Sequence, residues 1–87
     1  FKDLKCPFLM YYVYILLCAN GKLYTGCTNN LKDRFQRHMD GNVESTKHIL
    51  PVKLLFYCAF IDKYKAYAFE KYLKSGSGRA FKNKRLI

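Results

Sequence analysis

The chain has 87 residues, with 16 Lys and Arg against six acids for a formal net charge of +10, and it is 51% hydrophobic and 17% aromatic. That length holds one domain with one core burying about 60% of the unfolded surface, and the composition excludes disorder. No apolar run approaches the roughly 20 residues a membrane-spanning helix needs. The charge calls for a polyanionic partner, nucleic acid ahead of a membrane surface.

Residues 1–9 fit no part of the pattern that follows and are expected to be an N-terminal extension without function. Residues 10–87 are expected to form the single domain. Phe8 to Cys18 is apolar but has no small-residue cleavage site behind it, so it reads as strand rather than leader. Cys6, Cys18, Cys27 and Cys58 lack any Cys-x-x-Cys spacing, which argues against zinc. Three disulfide connectivities are formally open. Three of the four cysteines lie in or beside expected strands, so buried free thiols in a reducing cytoplasm are the better reading.

The stretch Tyr11 to Gly26 organises the rest. Two β-type runs flank Ala19-Asn20-Gly21, and Asn and Gly tolerate the left-handed backbone of a tight turn. A two-residue Asn20-Gly21 loop would set Leu17 opposite Tyr24 and put Tyr14 and Tyr24 on opposite faces. A three-residue loop with Gly21 in a bulge sets Leu16 opposite Tyr24. The second register sorts the residues better: Val13, Ile15, Leu17, Leu23 and Thr25 form a core face, and Tyr12, Tyr14, Leu16, Tyr24 and Gly26 form the other. One residue of slip would exchange the faces.

Thr28 or Asn29 can cap a helix over about 30–40 that Gly41 ends, with Leu31, Phe35, His38 and Met39 as its buried stripe. Arg34 and His38, four apart, line one edge of that stripe. An arginine there also reads as a snorkelling side chain. Residues 42–51 are a polar loop in which Ser45, Thr46, Lys47 and His48 suit phosphate contact. Val52 to Phe60 reads as a third strand, with Leu54, Phe56 and Cys58 on one face and Leu55, Tyr57 and Ala59 on the other. Apolar residues on both faces make it the expected central strand. Asp62 can cap a second helix over 63–74, with Ala66, Phe69 and Leu73 inward and Glu70 at the edge. Ser75-Gly76-Ser77-Gly78 is expected to break that helix and, with Arg79, to offer N–H groups and a guanidinium to a phosphate. Residues 79–86 read as a short basic helix with Ala80, Phe81 and Leu86 inward. The expected fold is α+β: a small three-stranded antiparallel sheet, an N-terminal hairpin plus a central third strand, flanked by helices.

Val13-Tyr14-Ile15 and Tyr24-Thr25-Gly26 resemble the two halves of the motif of the GIY-YIG nucleases, with Arg34, His38 and Glu70 following in the family's order. The resemblance runs from Met10 to the C-terminus and is closest to the small single-domain members, whose ends read like residues 70–81. Val13 replaces Gly and Thr25 replaces Ile, and neither change removes a reactive side chain. The resemblance implies a metal-dependent DNA endonuclease that hydrolyses phosphodiester bonds with one divalent cation. Tyr14, Tyr24, Arg34, His38 and Glu70 would be catalytic. Glu70 would be the ligand of Mg²⁺ or Mn²⁺, Arg34 would clamp the scissile phosphate, and His38 would accept a proton from a tyrosine. Which tyrosine is the base stays open; a free tyrosine near 10 needs cations nearby to lower it. Lys22, Lys47, His48, Arg79 and Asn83 are the expected DNA contacts. DNA structure rather than sequence is expected to guide cutting, as in repair or processing. Two other readings compete: a nucleic-acid-binding module without catalysis, and a small protein-interaction domain.

Overall fold

The computed structural model describes residues 9–86. The expected extension therefore lies almost wholly outside the described residues, as do Cys6 and the packing of the Leu86 side chain. The elements run β1 (Tyr11–Cys18), β2 (Leu23–Thr28), α1 (Leu31–Met39), β3 (Val52–Phe60), α2 (Lys63–Lys74), α3 (Gly76–Phe81) and a π-helical turn (Lys82–Leu86). The strands form one antiparallel sheet in the order β2-β1-β3.

The β1–β2 hairpin adopts the bulged register. Leu16 faces Tyr24 and Tyr14 faces Gly26. Gly21 sits at φ 83°, in the left-handed region that a side chain resists. Its N–H donates to the Cys18 carbonyl at 2.9 Å, and the Cys18 N–H donates to the Lys22 carbonyl at 2.9 Å. Asn20 completes the turn, its Oδ1 accepting the Lys22 N–H at 3.0 Å.

The central strand is β1, not β3. Its run Tyr-Tyr-Val-Tyr-Ile-Leu-Leu-Cys has no charge on either face, which is what a strand covered on both sides requires. Tyr12, Tyr14, Leu16 and Cys18 pack with Leu31 of α1 and Val52, while Val13 and Ile15 pack with Ala66 and Leu73 of α2. The tyrosine face of the hairpin is thus core as much as the valine face. β3 is an edge strand, and its Tyr57 is 42% exposed. A bulge at Leu55 also breaks the expected alternation of β3, because Ile15 pairs with Phe56 but Leu16 pairs with Leu54. Leu54 therefore joins the tyrosine face, and Phe56 and Cys58 join the α2 face.

The helices start where capping chemistry puts them. Asn30, one or two residues beyond the expected Thr28 or Asn29, caps α1 by accepting the Asp33 N–H at 3.1 Å. Leu31 and His38 are buried and Phe35 is half-buried, whereas Met39 turns out to solvent, 44% exposed. Asp62 caps α2 at the expected place, accepting from the Tyr64 and Lys65 N–H groups. Ser75 closes α2 and opens α3 at once: its N–H and Oγ donate to the Tyr72 carbonyl, and its Oγ accepts the Gly78 N–H at 3.1 Å. The Gly-Ser stretch is accordingly the first turn of α3 rather than a loop. Gly78 is buried there, and a Cβ on it would collide with the Tyr72 carbonyl. Ala80 and Phe81 face out rather than in, with the Phe81 ring 5.9 Å from that of Tyr72. Lys82 is the buried side chain of this segment. No helix among the described residues is long and apolar enough to cross a membrane.

Candidate active site

Four of the expected catalytic residues meet on the α1 face of the sheet. β1 supplies Tyr14, β2 supplies Tyr24, and α1 supplies Arg34 and His38 from adjacent turns. The Tyr14 ring reaches from β1 to β2 and lies over Gly26, directly opposite in the hairpin register. A Cβ at position 26 would occupy the space of the Tyr14 hydroxyl and Cζ. The last glycine of the second tripeptide is thus a seat for the first tyrosine.

The Tyr14 hydroxyl lies 2.9 Å from His38 Nε2 and accepts the Arg34 Nε–H at 3.3 Å. His38 Nδ1 lies 2.8 Å from the Thr46 hydroxyl. A guanidinium only donates, so the Tyr14 oxygen accepts from Arg34, and the neutral His38 ring bridges the Tyr14 and Thr46 hydroxyls through its two nitrogens. Burial, reinforced by the Arg34 charge, pushes His38 down to about 4, so the ring is neutral at pH 7. Burial pushes Tyr14 up to about 12 despite the opposing Arg34 hydrogen bond. The lowering that a tyrosine base needs does not occur at Tyr14. Tyr14 in turn holds the Arg34 guanidinium above its ordinary value.

Tyr24 closes the group on its open side. Its ring centroid is 5.0 Å from that of His38 and 6.2 Å from that of Tyr14. It is half-buried, as is Arg34, whereas Tyr14, His38 and Thr46 are buried. Thr46 belongs to the loop read as a phosphate contact, but it is an internal tether of His38. Its signal in the sequence is weak: a lone hydroxyl in a polar loop looks like every other. Ser45, Lys47 and His48 of that loop are exposed, and Lys47 pairs with Glu44 at 2.9 Å.

Glu70 does not touch this group. It lies on the inward stripe of α2 between Ala66 and Leu73, and α2 covers the opposite face of the sheet. Its side chain is partly exposed and ion-paired with Lys74 at 3.0 Å. Its charge reaches Cys27 of β2: burial raises that thiol, and Glu70 raises it further. The carboxylate therefore approaches the β2 edge from the far side. A small cleft of about 240 Å³, lined by Tyr11, Cys27, Thr28, Asn29 and Tyr67, opens where Cys27 faces α2. Among the described residues, no three His, Cys, Asp or Glu side chains come together. Glu70 is thus a lone carboxylate held in a weak, partly exposed pair with Lys74. Cys18, Cys27 and Cys58 are free thiols, all held up by burial.

The remaining expected contacts gather elsewhere. Lys22, Arg79 and Asn83 line one cleft of about 470 Å³ at the hairpin tip, together with Leu23 and Lys82. Lys82 was not singled out by the sequence, where it is one lysine among many.

A small antiparallel sheet with two cross-strand tyrosines, and an arginine and a histidine aimed at them from the following helix, defines a nuclease domain of the class its tripeptides resemble. The chain belongs to the GIY-YIG family: the model of the GIY-YIG catalytic domain matches residues 10–85. A UPF0213 protein of Lacticaseibacillus paracasei is 43% identical over 65 residues, covering 74% of this chain and 73% of that protein. A UPF0213 protein of Clostridium perfringens is 44% identical over 66 residues, covering 75% and 71%. The solution NMR structure of a UPF0213 protein from Bacillus halodurans shares the fold with a TM-score of 0.56 and 33% identity, covering 85% of this chain and 80% of that one. Nuclease activity on nucleic acid, generally with a divalent metal ion, is what membership of the family implies.

Proposed function

We propose that the chain is a DNA endonuclease that hydrolyses phosphodiester bonds with one divalent cation, Mg²⁺ or Mn²⁺, held by Glu70, and that it acts on DNA structure in repair or processing. The observation that carries this reading is the hydrogen-bonded line Arg34–Tyr14–His38–Thr46, half-buried at Arg34 and buried beyond it, with Tyr24 on its open side. A surface that only binds DNA has no use for a neutral buried histidine or a protonated buried phenol. Here both serve to hold a guanidinium in place.

Tyr14 takes Arg34 Nε–H, which leaves the guanidinium's outer N–H groups for two oxygens of a phosphate, the bidentate geometry that discriminates and orients. Fixed donors aimed where charge develops stabilise the transition state without reorganisation. Tyr24, half-exposed beside His38, is the tyrosine placed to orient the attacking water. Tyr14, buried and hydrogen-bonded to His38, is its support. Thr46 holds the His38 ring in place from its other nitrogen. The metal, when bound, supplies charge stabilisation at the phosphoryl and leaving oxygens.

One observation favours a second reading, a nucleic-acid-binding module: Glu70 lies across the sheet from the arginine and tyrosines, paired with Lys74. The test is cleavage of labelled branched, nicked and linear DNA with and without Mn²⁺. Metal-dependent cutting supports the nuclease. Retention of all three substrates uncut, with binding intact, supports the module.

A further inference from the structure

At the tip of the β1–β2 hairpin, away from the tyrosines, the +10 chain concentrates charge in an unusual way. The cleft there is lined by Lys22, Leu23, Arg79, Lys82 and Asn83. Lys22, Arg79 and Asn83 are exposed at its rim. Lys82 forms its floor and leaves only 7% of its surface accessible. A buried lysine is ordinarily paired. Among the described residues no carboxylate lies within ion-pair distance of Lys82, and none lines the cleft. Burial, and then the charge of Arg79, hold the Lys82 ammonium below its ordinary value. Three cations and an amide thus line a space of about 470 Å³ with no carboxylate among the described residues to balance them.

The position of Lys82 is built, not incidental. Ser75 turns the chain from α2 directly into α3, and Gly78 lets α3 press against the Tyr72 carbonyl. This close approach carries Lys82 inward while Ala80 and Phe81 face solvent. The aliphatic stem of Lys82 is buried while its ammonium reaches the cleft.

We propose that Lys22, Arg79, Lys82 and Asn83 form a second phosphate site, which grips a backbone phosphate of the bound nucleic acid away from the one that is cut. The proposal rests on the reading that the partner is nucleic acid. Phosphate is the chemistry of choice because ammonium, guanidinium and amide N–H groups are all donors and none is an acceptor. A chain polymer fits better than a small enclosed anion, because three of the four polar groups stand on an open rim.

The test is binding of a short fluorescein-labelled DNA duplex, followed by anisotropy over a range of salt, for the wild type, Lys82→Met and Arg79→Gln. Lys82→Met keeps the length and packing of the buried stem, and its thermal melting point is expected to be no lower than the wild type's. Each variant is expected to weaken binding several-fold and to flatten the log–log salt slope by about 0.9, one phosphate contact. In parallel, titration with inorganic phosphate should shift the amide signals of Lys22, Lys82 and Asn83 in the wild type and not in Lys82→Met. Unchanged affinity and slope in both variants would overturn the proposal. So would phosphate-induced shifts without any change of slope, which would mark a site for small anions alone. If Lys82→Met does not fold, Arg79→Gln at the exposed rim decides by the same slope. A wild type whose binding depends on Lys82 but which cuts nothing in Mn²⁺ would remove the nuclease reading and leave this site standing.

Discussion

Gly26→Ala isolates the seat on which the site is built. Position 26 has an ordinary strand backbone, so the added methyl causes no conformational strain; what it meets is the Tyr14 ring. The ring cannot yield cheaply. It is buried to 1% exposure, and its hydroxyl is tied to His38 and Arg34. Overpacking of this kind costs about 1–3 kcal/mol. For a domain of this size that is a fall in melting temperature of about 4–8 °C for each kcal/mol. A displaced ring also lets go of the guanidinium, so cleavage should fall by more than stability does. Thermal melts followed by circular dichroism measure the first effect, and initial cleavage rates well below the melting point measure the second. The discriminating control is the double variant Gly26→Ala/Tyr14→Ala, in which the ring is gone and the methyl has room. Its stability should exceed the sum of the single effects by about 1 kcal/mol or more. Additive losses, or a Gly26→Ala protein as stable and active as wild type, would refute the proposed role of Gly26.

Three further outcomes follow from the geometry. His38 is held neutral by burial, down to about 4 from 6.5. The unfolded chain therefore takes up a proton there first, and stability should drop as pH falls from about 6.5 toward 4, by about 3 kcal/mol at 1.36 kcal/mol per pH unit; urea unfolding at pH 7 and pH 5 should show the loss in wild type and much less of it in His38→Gln. Gly78→Ala should destabilise by about 1–3 kcal/mol because its methyl meets backbone that cannot move aside, whereas Gly76→Ala, with open space around it, should be neutral or stabilising by up to about 1 kcal/mol; similar melting points for the two would discount the close approach of α3 to α2. DNA affinity should fall steeply with salt, by about 0.9 in log–log slope for each phosphate neutralised, and a flat response between low and physiological salt would count against a polyanionic partner for a +10 chain.

The sequence made the hairpin and the helix starts legible for specific reasons. Only the bulged register gathered the aliphatic residues on one face, and it is the register the chain adopts. Asp62 and Gly41 bounded helices as capping chemistry requires, Gly41 leaving α1 at φ 77°. The tyrosines, Arg34 and His38 converge as the family resemblance implied. The errors also have physical causes. Only the aliphatic face of β1 reads as core, yet its tyrosine rings are large apolar bodies that pack with α1, and that concealed β1 as the central strand. The bulge at Leu55 leaves no mark in a run where every residue is apolar. Ser75-Gly76-Ser77-Gly78 has loop composition, yet Ser is a helix cap and Gly78 is there to let two backbones touch. Thr46 could not be told from its polar neighbours, because its role depends on which residue stands above it. Glu70 was correctly placed beside a buried stripe, but which face of the sheet that stripe covers depends on the order of the strands.

The claim that matters most is that Glu70 holds the metal on which cutting depends. Glu70→Ala, Arg34→Ala and wild type, each shown folded by circular dichroism, should be compared for Mn²⁺-dependent cleavage and for binding of the same labelled DNA. Glu70 lies across the sheet from Arg34 and does not clamp the phosphate itself. Glu70→Ala should therefore abolish cleavage while binding survives or strengthens, whereas Arg34→Ala should weaken both. Cleavage by Glu70→Ala at the wild-type rate would contradict the account and return Glu70 to being the helix partner of Lys74.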